Sequence, residues 1–177
     1  MRTPISFAGP LAILLLAACE PSTLPTDASA PIRPADVSDP WGPESPPFNL
    51  EAVLRSPDGG SGFGLVRFRQ PNDGNQIVYL NTWVRDLAPG TSYRLQRAVD
   101  GVVDGTCTSA SGWLTLGAGL TPLAIVTDDK GTGRAELFRD LGAFPVGARF
   151  DIHFRIIEDV SGSVVLQSAC YQFVITQ

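Results

Sequence analysis

Imidazole and thiolate groups carry much of metal and nucleophilic chemistry, and this 177-residue chain has one histidine, His153, and three cysteines, Cys19, Cys107 and Cys170. Multi-imidazole metal sites and Cys₄ or Cys₂His₂ zinc sites cannot be assembled from that set. A Ser-His-Asp triad needs its histidine in a cleft where hydroxyl and carboxylate converge. His153 instead falls between Asp151 and Arg155 on the polar positions of an alternating segment, which reads as an exposed strand histidine with ionic neighbours. Asp128-Asp129-Lys130-Gly131-Thr132-Gly133 offers oxygen ligands but lacks the carboxylate spacing of a calcium loop and carries Lys130 in its middle, so it reads as a hairpin loop. Arg67, Arg69, Arg94 and Arg97 could form a basic stripe for an anionic glycan or headgroup. Trp83, Trp113 and Tyr79 read as core or inter-sheet packing rather than a sugar platform. No catalytic residue, metal ligand set or cofactor motif is expected, and the chain is not expected to be an enzyme.

Charge narrows the partners. Thirteen basic residues stand against eighteen acidic ones, a net charge of −5, so whole-chain attraction to nucleic acid is not available. Hydrophobic residues make up 44% and charged residues 18%, which is the composition of a chain that builds a core. One domain plus accessories fits the length.

Residues 1–18 read as an address. Met1-Arg2 is a positive start, and the uncharged run through Leu11-Ala12-Ile13-Leu14-Leu15-Leu16 is a secretory core too short to span a bilayer. It ends in Leu16-Ala17-Ala18-Cys19, which resembles the bacterial lipobox, in which the cysteine thiol receives a diacylglycerol before cleavage. Cys19 is then a lipidated anchor into the membrane. Glu20 behind it resembles the sorting pattern for the outer membrane. From Glu20 to Phe48 eight prolines occur in twenty-nine positions with five acids and only Arg33, so residues 19–48 read as a lipidated cysteine and an extended, disordered tether. The alternative for this segment is a proline-rich recognition sequence, or one that docks on peptidoglycan or a partner through Trp41.

From Asn49 the pattern changes to short strands punctuated by Gly, Asp and Pro. In Gln76 to Val84, residues Val78, Leu80, Thr82 and Val84 alternate with Ile77, Tyr79, Asn81 and Trp83; in Phe150 to Ile156 the apolar residues take the even positions. Further strands are expected near 50–55, 62–69, 92–98, 112–117, 123–127, 134–138, 163–167 and 170–176, with turns at Pro57-Asp58-Gly59-Gly60, Pro71-Asn72-Asp73-Gly74, Asp100-Gly101, Asp104-Gly105 and Asp129-Lys130-Gly131. No convincing helical period runs beyond two turns. Residues 49–177 are therefore expected to form an all-β domain, a sandwich or flattened barrel of about eight strands. With Cys19 assigned to lipid, Cys107 and Cys170 remain as an even pair in an oxidising compartment, where a bridge is the default. The rival is a reactive thiol or a two-cysteine metal site with His153.

Several stretches of this domain resemble copper/zinc superoxide dismutases. Gly105-Thr106-Cys107-Thr108-Ser109-Ala110-Ser111-Gly112 is similar to that family's G-C-T-S-A-G stretch, and Ser168-Ala169-Cys170-Tyr171-Gln172-Phe173-Val174-Ile175 to its A-C-G-V-I-G-I ending. Gly64-Leu65-Val66-Arg67-Phe68-Arg69-Gln70, Asp86-Leu87-Ala88-Pro89-Gly90, Leu123 through Gly133 and Arg149-Phe150-Asp151-Ile152-His153 follow in the family's order. The resemblance implies a Greek-key β-sandwich and a Cys107–Cys170 disulfide. It also implies that the metal site is missing: the two copper-ligand positions of the F-H-V-H strand fall on Arg94 and Gln96, the zinc aspartate on Pro122, and the loop Thr108–Pro122 has no histidine. The last copper histidine has no counterpart in Leu166-Gln167-Ser168-Ala169, and His153 matches a position that is not a ligand.

These features together describe an outer-membrane-anchored lipoprotein with a non-catalytic binding domain, displayed in the periplasm or at the cell surface to an envelope protein or glycan. The competing readings are a residual metalloprotein, either an oxidoreductase or a metal carrier, and a structural envelope component. The anchor has a direct test: cells fed radiolabelled palmitate should label the chain, and Cys19→Ser should abolish the label. Equal labelling of the variant would reject the lipobox.

Overall fold

The computed structural model describes residues 48–176 apart from 72, 74 and 143. The signal segment, Cys19 and the tether lie outside the described residues. The rest is all-β, with twelve strands and no helix among the described residues: β1 Phe48–Arg55, β2 Phe63–Gln70, β3 Ile77–Arg85, β4 Ser92–Asp100, β5 Leu114–Thr115, β6 Gly117–Ala118, β7 Thr121–Pro122, β8 Ile125–Val126, β9 Gly133–Asp140, β10 Arg149–Glu158, β11 Val164–Ser168 and β12 Tyr171–Val174. The expected window at 112–117 resolves into β5 and β6, and that at 123–127 shortens to β8.

The hydrogen-bonded order β4-β10-β11-β1-β2-β3-β9 wraps into a flattened barrel. It closes where β8 pairs with β4 (Tyr93 opposite Ile125) and Thr127 bridges to Gly133 at the start of β9. Thus β4, β8 and β9 follow one another around the wall, while β3 lies beside β9 and β10 beside β4. The β3–β4 and β9–β10 connections must each cross an end of the barrel, which is Greek-key topology.

Side-chain alternation decides which way each strand faces. Val66 and Phe68 on β2, Val78, Leu80 and Val84 on β3, and Tyr93 and Leu95 on β4 are buried, with their sequence neighbours turned outward. Phe68, Phe150, Phe154 and Phe173 pack as a ring cluster, with centroids 4.5 Å apart for Phe68–Phe173 and 5.0 Å for Phe150–Phe173. The buried rings Phe68, Phe154 and Phe173 each contribute roughly 1.5–3 kcal/mol, and half-buried Phe150 caps them.

The β3–β4 crossover is held to the Asp128–Thr132 loop. Leu87 N–H donates to Gly131 O at 3.2 Å, Gly90 N–H to Asp128 O at 3.3 Å and Ala88 N–H to the Tyr93 hydroxyl at 3.1 Å. Buried Thr127 accepts from Thr91 N–H at 3.0 Å and donates its hydroxyl proton to Ala88 O at 2.7 Å. The Asp128 carboxylate accepts the Lys130 and Thr132 N–H groups at 2.9 Å each and shapes the turn. The crossover packs so closely that a Cβ on Gly131, whose φ is +73°, would lie 2.1 Å from Leu87 O. Gly147 has φ +84° with open space around it. Left-handed backbone alone costs an alanine roughly 1–2 kcal/mol. Gly147→Ala should lose about that much in urea unfolding and Gly131→Ala at least about twice as much. Equal losses would show that the crossover does not press on the loop.

Candidate functional site

Three outward-facing regions hold the residues whose chemistry the sequence singles out. The first is the odd-numbered face of β10. Its alternation predicts an exposed His153, but the structure buries it: His153 is 5% exposed and Asp151 0%. The cover is the segment after β4. Cys107 is bonded to Cys170, with the Cα atoms 5.3 Å apart. Asp151 Oδ2 accepts N–H bonds from Asp104 at 3.0 Å and Gly105 at 2.7 Å, while Asp100 Oδ2 accepts from Thr108 at 2.9 Å and Ser109 at 3.3 Å. The Trp113 ring then lies 4.6 Å from the His153 ring, and the Arg155 guanidinium sits 4.0 Å over Trp113. Ser109 gives its hydroxyl proton to Asp100, not to His153, so Ser109, His153 and Asp100 do not form a nucleophilic relay. A disulfide closing a 63-residue span contributes on the order of 4 kcal/mol in the chain-entropy account.

The second region is the outward side of β4, where the resemblance places two copper ligands. Arg94 makes a two-pronged ion pair with Asp159, with Nη2 3.0 Å from Oδ2. Gln96 donates to the Thr115 hydroxyl at 3.0 Å and accepts from Arg155 Nε at 2.8 Å. Both side chains are committed to neighbours. No group of three or more His, Cys, Asp or Glu side chains able to hold a metal ion occurs among the described residues.

The basic stripe that Arg67, Arg69, Arg94 and Arg97 could have formed is absent from the sheet. Arg67 and Arg69 lie on β2, separated from β4 by β1, β11 and β10, and Arg94 is neutralised by Asp159. Arg97 has the opposite parity on β4 from Arg94 and lines the barrel interior with Phe68 and Phe154.

The third region is the outward face of β1, β2, β3 and β9, which local sequence reading misses. Cross-strand pairing sets Glu51, Arg67, Asn81 and Glu136 in one row across four strands. The row on one side is Asn49, Arg69, Tyr79 and Phe138, and on the other Val53, Leu65, Trp83 and Arg134. Arg67 Nε lies 3.0 Å from Glu51 Oε1. Two shallow hollows of about 500 and 640 Å³ meet at Arg67, Asn81 and Glu136. Tyr79 is 41% exposed and Trp83 faces outward beside Phe63 at 5.7 Å, so neither belongs to the inter-sheet core expected for them; Trp113 is likewise outside the barrel, over His153. The signal was present as aromatic and polar residues on alternate positions, but the rows exist only once the pairing register is known.

The chain matches no protein-family model, and no curated protein matches it.

Burial and the nearby Arg155 push the His153 imidazole below its ordinary value of 6.5, and Asp100 only partly opposes them. The folded state therefore resists protonation, and stability falls as pH drops below about 6.5, where the unfolded state takes up the proton more readily. Asp100, held down chiefly by the Ser109 hydroxyl, and Asp159, held down by Arg94, lose their contributions only as pH approaches the carboxylate range. Urea unfolding at pH 7.5, 6.5 and 5.5 should show a decline that His153→Phe removes, since Phe keeps a ring against Trp113. Parallel pH profiles for the two proteins would overturn this assignment.

Proposed function

We propose that the chain is a lipid-anchored envelope protein whose β-barrel is a non-catalytic recognition module, and that the outward face of β1, β2, β3 and β9 binds a glycan of the bacterial envelope. The observation that carries this reading is the row Glu51–Arg67–Asn81–Glu136 flanked by Tyr79 on one side and Trp83 on the other. Sugar rings present apolar C–H faces and a rim of hydroxyls. Flat aromatic side chains pack against the faces through dispersion and C–H contacts. Carboxylate, amide and guanidinium groups accept from and donate to the hydroxyls. A sheet face offers both at fixed strand spacings of about 4.8 Å, with little loss of side-chain freedom on binding.

The lipobox-like Leu16-Ala17-Ala18-Cys19, the proline-rich segment behind it and Glu20 support placement at the outer membrane, with the module held away from the lipid. The resemblance to copper/zinc superoxide dismutases supports descent from that Greek-key fold with the metal chemistry lost. Arg94 and Gln96 replace ligating residues, and their bonds to Asp159, Thr115 and Arg155 put those positions to structural use.

The test is retention of the full chain on immobilised envelope polysaccharides, with purified peptidoglycan sacculi as the first. Trp83→Ala combined with Tyr79→Ala should weaken retention about tenfold or more. Trp83 is half-buried against Phe63 and Arg85, so its loss also costs stability. Tyr79→Ala alone, at an exposed position, is the variant that should weaken retention several-fold while leaving the unfolding midpoint close to wild type. Retention unchanged by the double substitution would overturn this face as the binding surface. Failure of every polysaccharide to retain the chain would overturn the glycan reading.

A further inference from the structure

A separate feature lies inside the barrel. At one end of the core a cavity of about 100 Å³ is bounded by Phe68, Leu80, Phe154 and Phe173, with Arg97 of β4 and Arg139 of β9 in its wall. The two guanidinium groups are near enough to repel, and Arg97 is held below its usual proton affinity first by burial and then by Arg139. The ion pairs among the described residues are Arg67–Glu51, Arg85–Asp86 and Arg94–Asp159, and neither Arg97 nor Arg139 takes part in them. Arg139 Nη1 donates to Gly119 O at 3.3 Å, a neutral acceptor that leaves its charge uncompensated.

Two like charges set partly out of water against an apolar hollow are unfavourable unless an anion joins them. Guanidinium forks match carboxylate oxygens in pairs, which makes two arginines side by side an acid-binding arrangement. The hollow sets the size of what accompanies the acid. An apolar cavity of about 150 Å³ accepts the six carbons of benzene, so this smaller one takes about four carbons of a short tail. We propose that this end of the barrel binds a small amphiphilic carboxylate, its acid group between Arg97 and Arg139 and its short apolar tail among the phenylalanines. The site shares no residue with the outward row on β1, β2, β3 and β9, so it stands or falls independently of the glycan reading.

The experiment is thermal unfolding and calorimetric titration of the full chain carrying Cys19→Ser, so that no acyl chain competes, with hexanoate, acetate and hexan-1-ol as probes. Hexanoate should raise the unfolding midpoint in a saturable way, as a ligand that binds only the folded state must. Acetate lacks the tail and hexan-1-ol lacks the charge, and neither should match it. Arg97→Gln and Arg139→Gln should each weaken hexanoate about tenfold or more. In the absence of ligand Arg97→Gln should unfold at or above the wild-type midpoint, because it removes a repulsion. Should a glutamine variant fail to fold, Arg97→Lys keeps the charge without the fork and should weaken hexanoate several-fold. Hexanoate acting no better than acetate would overturn the role of the cavity, and no better than hexan-1-ol the role of the arginines. Undiminished affinity in the arginine variants would overturn the site.

Discussion

Closure of the barrel is the constraint on which the rest of this structure depends. A curled sheet with a free edge leaves a column of backbone N–H and C=O groups unpaired, and those groups must find partners or lose free energy. Here the closing strand, β8, is only two residues long. Two pairs to β4 and the Thr127–Gly133 bridge join the walls, which by themselves make a weak seam. The seam holds because the β3–β4 crossover is bonded along it. Thr127 supplies its backbone and its hydroxyl to Thr91 and Ala88, Asp128 organises the neighbouring turn, and Gly131 lets the crossover approach to van der Waals distance. A loop that topology requires to pass over the barrel end thus becomes the clamp that shuts it.

The second organising element is the cover over β10. A half-buried strand normally leaves its polar face to solvent, and a strand reading of Phe150 to Ile156 follows that rule. The disulfide reverses it. By tying Cys107 to Cys170 it brings the segment after β4 across the face, where Asp151 and Asp100 receive the backbone N–H groups of 104, 105, 108 and 109 and Trp113 stacks on His153. The polar residues of this face are therefore internal fasteners. Asp151 satisfies a loop that would otherwise cover a strand with unpaired donors, and the arginine stacked on Trp113 completes the layer.

The same logic separates residues that work on the fold from those whose side chains stay at the surface. Arg94, Gln96, Asp100, Asp151 and Asp159 are consumed by partners within the domain. The outward rows on β1, β2, β3 and β9 lie beside open hollows. The interior pair Arg97 and Arg139 forms a third category, charged groups facing an apolar cavity and taking part in no ion pair among the described residues. Strand parity alone separates Arg94 from Arg97, three residues apart with opposite fates.

By itself the sequence determined the all-β class and the inward faces of the alternating strands, because side-chain alternation is a local property of extended chain and needs no knowledge of neighbours. It also brought Cys107 and Cys170 forward as a pair, by elimination and by resemblance. Tertiary structure alone decided the burial of His153, since what covers a strand comes from residues about forty positions away and is placed by a disulfide. It alone assembled Glu51, Arg67, Asn81 and Glu136 into one row and set Arg97 beside Arg139, and it dissolved the arginine stripe that chain order suggested. The physical reason is common to all of these. Which side chains meet across a sheet depends on pairing register and on how the sheet closes, and both are settled by the packing of the whole barrel.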